Sequence, residues 1–401
     1  MTGETRELEY DYSRLVVPFG PVHPALKEPV HFKVFVKKEE VVDVGLRLGH
    51  VHRGIEALAE TRNLVQAMYL VERVCGICSH SHTTCFVGAL EEIGRIQPSE
   101  RALYLRTLVF ELERLHSHLL WLGIMAYEIG FDTLFMFAFN TREAVLDLFE
   151  EITGNRVHHS MNVIGGVRWD LDGRMVEKVG RSMSKVREAA QRIREIFQDK
   201  TVEERLSGVG LLDRGAAQEL CTVGPTARGS GLKTDVRKED PYAAYGALEG
   251  SFSIVTRTEG DAYARTEVRI FEIFETINMI NEILARLPGG SIRPGETIIR
   301  SMNRVPQGEA VSRVEAPRGE LLYYVRTDGK GGLRRLKVRT PTLANIVGLR
   351  QMLIGGEVAD IPVVVASIDP CLSCTNRITV IDLDKGGAGE PLRRRRRKWP
   401  H

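Results

Sequence analysis

Two short cysteine pairs, Cys75 with Cys78 and Cys371 with Cys374, are the residues best placed for chemistry. A C-x-x-C lets two thiolates grip one metal from a single turn. Two such pairs supply four soft ligands, suited to zinc, an Fe–S cluster or another thiophilic ion. Zinc ribbons usually keep their pairs about 15–20 residues apart, whereas here Cys371 lies 293 positions beyond Cys78. The flanking residues 71–78 and 363–374 are largely apolar, which would set a metal deep in the core. Spacing within the pairs alone puts structural zinc first; the long separation and the apolar flanks argue against it and suggest a metal that does chemistry, without saying which. Cys85 and Cys221 stand alone and read as small buried hydrophobes.

Positioning four ligands from distant parts of one chain needs a large scaffold. The 401 residues are 43% hydrophobic and 27% charged, with 55 basic side chains against 53 acidic ones. That balance excludes a disordered polyelectrolyte and gives no basis for nucleic-acid binding. No apolar run approaches 18 residues, so no membrane-spanning helix is expected. The first residues are acidic and polar, unlike a signal peptide, so an intracellular chain with reduced cysteines is expected.

Residues 9–50 alternate as strands do, punctuated by Pro18, Gly20, Pro21 and Pro24. From 56 to 290 the period is helical. Ser99 is placed to cap a helix carrying Leu105, Leu108, Leu112, Leu115, Leu119 and Leu122. Asn140 or Thr141 should open another, closed by Gly154, and 175–197 and 262–287 are further helices, while 224–250 reads as irregular. Beyond 294 strands return, with 320–325 and 333–338 flanking a turn at 328–332 and 362–368 as a short apolar β run. The expected fold class is α+β, predominantly α-helical. A β-rich N-terminal part (1–55), a helical body (56–290) and a β-containing C-terminal part (291–377) converge on a buried metal site.

At this point the motifs carry a family likeness. Arg73-Val74-Cys75-Gly76-Ile77-Cys78 with His82 resembles the N-terminal signature of [NiFe]-hydrogenase large subunits, and Asp369-Pro370-Cys371-Leu372-Ser373-Cys374-Thr375-Asn376-Arg377 their C-terminal one. Arg53-Gly54-Ile55-Glu56 and Glu315-Ala316-Pro317-Arg318-Gly319 fall in order between and before them. Residues 19–24, 224–231 and the group Asp235, Arg237, Lys238, Pro241 and Tyr242 resemble the quinone-site (49 kDa-type) subunit of respiratory complex I. That relative lacks the four cysteines, so the resemblance points to the membrane-bound, energy-converting or formate-hydrogenlyase type of hydrogenase.

The resemblance implies specific roles. Cys75 and Cys371 would bind Ni terminally, and Cys78 and Cys374 would bridge Ni to an Fe carrying CO and cyanide. H2 would be cleaved or formed heterolytically, with Cys371 taking the proton and Glu28 relaying it. Arg318 would overhang the open metal site, Asp369 would orient it, and His82 would donate a hydrogen bond to a bridging sulfur such as Cys78. Glu56 matches a ligand of an additional Mg or Fe ion, but Arg377 stands where the family places the completing histidine, which puts that ion in doubt. His116 and His118, two apart on a helix, read as structural.

The implied partners are an Fe–S small subunit with a [4Fe–4S] cluster, a ferredoxin or formate-dehydrogenase-type electron donor, membrane ion-pumping subunits and a maturation endopeptidase, with no nucleic acid. The implied location is peripheral, on the cytoplasmic side of the cell membrane. Residues 378–401, with seven positive charges against three negative, would be an extension removed after Arg377. Two competing readings are a complex-I-like or sulfur-reducing relative without hydrogenase activity, and a structural four-cysteine zinc protein.

Overall fold

The structure, a computed structural model, describes residues 15–293, 305–375 and 377. The expected extension 378–401 lies outside them. Strands β1 (Leu15–Phe19), β2 (His31–Lys37) and β3 (Glu40–Arg47) form an antiparallel sheet in that order. Alternation sets its faces, since Phe32, Val34 and Val36 are buried while Lys33 and Lys37 are exposed.

The helical body follows with α1 (Ile55–Ala59), α2 (Leu64–Glu72), α3 (Ser79–Gly94), α4 (Glu100–Glu128), α5 (Asp132–Thr153) and α6 (Gly173–Phe197). The two-residue strands β4 (Asn162–Val163) and β5 (Gly166–Val167) pair between α5 and α6. Ser99 caps α4 as expected, its hydroxyl accepting from the Ala102 N–H. Helix α5 begins at Asp132, eight residues before Asn140. Gly130, with φ +81, ends α4 abruptly enough for the next helix to start at once. Gly154 closes α5 in the left-handed conformation, as its position predicted.

Segment 224–250 is not irregular throughout. Short helices α7 (Lys200–Leu206), α8 (Arg214–Glu219), α9 (Gly224–Gly229) and α10 (Val236–Glu239) lead into the long α11 (Ala262–Arg286). The hairpin expected near the C-terminus is present as β7 (Gly319–Thr327) and β8 (Leu333–Arg339), and β6 (Glu309–Ala316), which was not anticipated, completes an antiparallel β6-β7-β8 sheet. Residues 362–368 are not a β run, because Ile361–Ser367 is a helix. A short run buried on all sides carries no periodicity that separates the two states. Pro362 sits in the first turn, where its missing N–H costs nothing.

Two cores result. The larger joins α2 to α6, α11 and the second sheet; the smaller joins the first sheet to residues 346–372. A buried ion network links the helices to the sheet that carries β6. Arg228 of α9 donates to Glu272 of α11 at 2.8 Å and to Glu315 of β6 at 2.7 Å, and lies 3.5 Å from Asp235. Arg237 of α10 pairs with Asp235 at 2.7 Å and with Glu111 of α4 at 3.2 Å. His118 of α4 meets Glu272 at 2.8 Å. The residues that marked the complex-I subtype thus lock α4, α9, α10, α11 and β6 together. Arg228→Met would leave three carboxylates short of a cation in the interior, and should destabilise the chain by about 3–5 kcal/mol in denaturant unfolding. A loss no larger than that of an exposed pair such as Arg156–Glu143, about 0–1 kcal/mol, would contradict this.

Candidate metal centre

Helix α2 stops at Glu72, and the chain turns through residues 73–78 before α3, placing the first pair at the helix entrance. Cys75 Sγ there accepts from the backbone N–H groups of Ile77 and Cys78, both at 3.3 Å. The second pair follows Asp369, a non-glycine residue held at φ +54, with Cys371 N–H bonded to Thr342 Oγ1 at 3.0 Å and Cys374 inside the short helix Leu372–Thr375. That left-handed conformation is costly, and it aims the pair inward. Cys75 and Cys371 Sγ lie 3.2 Å apart, and Cys371 and Cys374 Sγ 3.0 Å apart. Cys75, Cys371 and Cys374 form one compact ligand group, and Cys78, His82 and Cys374 a second sharing Cys374. All four cysteines are at most 5% exposed, and none is in a disulfide.

Four thiols this close cannot ionise together without a cation. Hydrogen bonds from Cys371, Cys374 and Cys78 push Cys75 well down. For Cys78 and Cys371 the bond from Cys374 is outweighed by their bonds to Cys75 and by burial, so both rise well above the ordinary thiol range. Burial leads in raising Cys374. Such a set suits a soft metal cation, whose binding must release protons.

A cavity of about 80 Å³ opens beside Cys371, lined also by Glu28, Trp121, Glu128, Arg318 and Asp369. It is far smaller than the roughly 300–1,000 Å³ of a drug-sized ligand pocket. Arg318 is pinned by Asp369, with Nε to the backbone oxygen at 2.9 Å and Nη2 to Oδ1 at 2.7 Å, and by Ser117 Oγ at 3.1 Å. Burial alone would lower its pKa, but Asp369 and the sulfurs of Cys371, Cys78 and Cys75 hold it well above the ordinary value. Arg318 sits on the β6–β7 turn, which reaches this depth because Gly319 (φ +124) meets Gly224 backbone to backbone; a Cβ on Gly224 would stand 2.4 Å from the Arg318 oxygen. Glu28, half-buried, accepts from the N–H of Ser373 at 3.0 Å and from its hydroxyl.

The comparisons with known proteins now bear on this geometry. Residues 128–377 match the family model described as the respiratory-chain NADH dehydrogenase 49 Kd subunit, and residues 53–126 the model for nickel-dependent hydrogenase. The chain is 42% identical to the membrane-bound hydrogenase subunit alpha of Pyrococcus furiosus, over 91% of this chain and 88% of that one. The chain belongs to the 49 kDa/[NiFe]-hydrogenase large-subunit family. It is also 40% identical to the carbon monoxide-induced hydrogenase of Rhodospirillum rubrum, over 91% of this chain and all of that one. A solved membrane-bound sulfane sulfur reductase from an archaeal respiratory membrane complex superposes with a TM-score of 0.87 at 32% identity, covering 92% of this chain and all of the other. This is therefore a hydrogenase-like large subunit of the kind found in membrane-bound, complex-I-like assemblies. No helix among the described residues is long and apolar enough to cross a membrane.

Of the residues expected in a family site, the four cysteines, Glu28, Arg318, Asp369 and His82 come together. His82 meets Cys374 rather than Cys78: its Nε2 is 3.8 Å from Cys374 Sγ, and its Nδ1 is 2.6 Å from the Tyr323 hydroxyl. Burial lowers its pKa to about 4, so the ring is neutral. In the tautomer where Tyr323 donates to Nδ1, the Nε2–H faces the sulfur. Glu56 is engaged by Arg377 and Lys337; burial would raise its pKa, but the hydrogen bonds from Lys337 and the Val338 N–H and the charge of Arg377 lower it. His116 and His118 are buried and bonded to Ile77 O and Glu272, as structural residues would be. Cys85 is buried as expected; Cys221 is exposed, on a turn with φ +51.

Sequence reasoning assigned no part to Tyr323, Glu113 or Arg53. Glu113 accepts from the N–H groups of His80 and Ser81 at the start of α3, and burial pushes it up to about 8. Arg53 donates to the carbonyls of Arg73, Val74 and Ser373, tying the two cysteine segments together. Only Arg53 had a visible signal, its place in the Arg53–Glu56 motif. Cobalt(II) added to metal-free protein should produce thiolate charge-transfer absorption that Cys371→Ser largely removes and Cys85→Ser leaves intact. Equal loss in both variants would contradict the assignment of the four-sulfur site.

Proposed function

We propose that this chain is the catalytic subunit of a membrane-associated [NiFe]-hydrogenase that interconverts H2 with protons and electrons. The reading rests on one observation, the convergence of two distant C-x-x-C pairs on a buried site whose adjoining cavity is lined by Glu28 and Arg318. Cys75, Cys78, Cys371 and Cys374 would together hold the Ni, with Cys78 and Cys374 also serving an Fe that carries CO and cyanide. Bound there, the metals supply heterolytic splitting or formation of H2.

The chain's own residues do the rest. Cys371, on the cavity wall, takes or gives the proton, and Glu28, lining the same cavity, passes it outward. The charge of Arg318 orients water or a small molecule in that cavity, and Asp369 fixes the guanidinium. The His82 N–H withdraws electron density from Cys374, with Tyr323 holding the ring.

Electrons must leave through a partner, because Cys85 and Cys221 form no cluster. An Fe–S small subunit with a [4Fe–4S] centre fits that role, with a ferredoxin or formate-dehydrogenase-type donor beyond it and ion-pumping membrane subunits beneath, on the cytoplasmic side. The solved sulfane sulfur reductase favours a second reading, in which the same scaffold reduces sulfur. The identities of 42% and 40% to hydrogenases, against 32% to that structure, favour the first.

Dye-driven H2 evolution by the purified complex separates the two, since sulfur reduction without H2 would move the chain to the second reading. Glu28→Gln keeps shape and hydrogen bonding but cannot carry a proton. H2/D⁺ exchange should fall at least roughly tenfold while nickel content stays normal, and unchanged exchange would remove Glu28 from the proton path.

A further inference from the structure

Glu56 lies in the first turn of α1 against β8, the edge strand of the second sheet, with its side chain 15% exposed. Both oxygens of the Glu56 carboxylate already face N–H donors. Oε1 accepts from Arg377 Nη1 at 2.9 Å and from the Val338 N–H at 3.0 Å, and Oε2 accepts from Lys337 Nζ at 2.9 Å. Val338 O, the other acceptor at this strand edge, receives Arg377 Nη2 at 2.7 Å.

A hard cation such as Mg²⁺ needs near-octahedral oxygen ligands. One placed here would find its carboxylate and carbonyl donors occupied, and would stand beside two positive side chains. The donor set does not fit an additional Mg or Fe ion. We infer that in this chain the Arg377 guanidinium and the Lys337 ammonium take the place of that ion, and that Arg377 acts as a metal-free latch on the segment carrying the second cysteine pair.

The surroundings explain why a latch is needed there. Arg377 lies three residues after Cys374, whose carbonyl is held by Thr340 Oγ1 at 3.2 Å. Three residues before Glu56 and ahead of the helix, Arg53 reaches Ser373 O at 3.1 Å and Val74 O at 2.7 Å. The Arg53–Glu56 motif therefore works at both ends, with Arg53 bridging the two cysteine segments and Glu56 anchoring the end of the second. Fixed guanidinium–carboxylate geometry suits this task better than a hydrated ion, because it sets direction as well as charge. The inference concerns the chain around the cysteines and holds whichever metal they bind.

Elemental analysis of the purified complex, wild type against Glu56→Gln, tests it. Wild type should contain no stoichiometric Mg, and the two should show the same Fe per bound cysteine-site metal. One equivalent of Mg or Fe lost only in Glu56→Gln would overturn the inference. Heat-driven release of the cysteine-bound metal reads the latch itself. Glu56→Gln, Arg377→Ala and Lys337→Met should each speed release several-fold, Arg377→Lys should recover part of the loss, and Glu56→Gln combined with Arg377→Ala should be no faster than the worse single variant. Intact masses confirm that the variants share one chain end, and Lys337→Met probes Glu56 without touching that end. Independent, multiplying effects, or protection of wild type by added Mg²⁺, would also overturn it.

Discussion

Mutual repulsion among four buried sulfurs governs this structure. Brought within 4.8 Å of a neighbouring sulfur by segments nearly 300 positions apart, they cannot carry charge together unless a cation compensates them. Much of the surrounding architecture can be understood as the means of enforcing that proximity. The strained backbone at Asp369 turns the second pair inward, backbone donors stabilise Cys75, and Arg53 ties both segments from outside. Arg318 adds a permanent positive charge on the cavity side, and that charge favours the thiolate of Cys75.

Charge is also how the scaffold is organised. Arg228 and Arg237, with Arg114 beside Glu111, are ion-paired to Glu272, Glu315, Asp235 and Glu111 in the interior. Such networks are demanding in desolvation and tolerate only one arrangement, which fits a fold that must hold several short helices in register for a reactive site. The family relationship spans both nickel-dependent hydrogenases and 49 kDa subunits. The shared scaffold is accordingly distinct from the cysteine set that would separate the two chemistries.

Much of this was legible in the sequence for identifiable reasons. Ser99 and Gly154 announced helix ends because capping is local, and the β7–β8 hairpin followed from its turn residues. The four cysteines, Glu28, Arg318 and Asp369 were legible through motifs. What was not legible depended on tertiary context. The helix Ile361–Ser367 was misread because a fully buried Val-rich run has no exposed face to betray its period. Tyr323, an apparently ordinary strand residue, meets His82 only because β7 lies against α3. The choice of Cys374 over Cys78 by His82 likewise depends on how the second pair docks, and no spacing within residues 75–82 encodes it.

The central claim is that the four cysteines hold a Ni–Fe centre and not a structural zinc. The most direct measurement is the infrared spectrum of the purified, catalytically assembled complex, read with its metal content. The account predicts sharp bands from Fe-bound CO and cyanide, with one nickel per chain. One zinc per chain and a spectrum empty of those bands would contradict it.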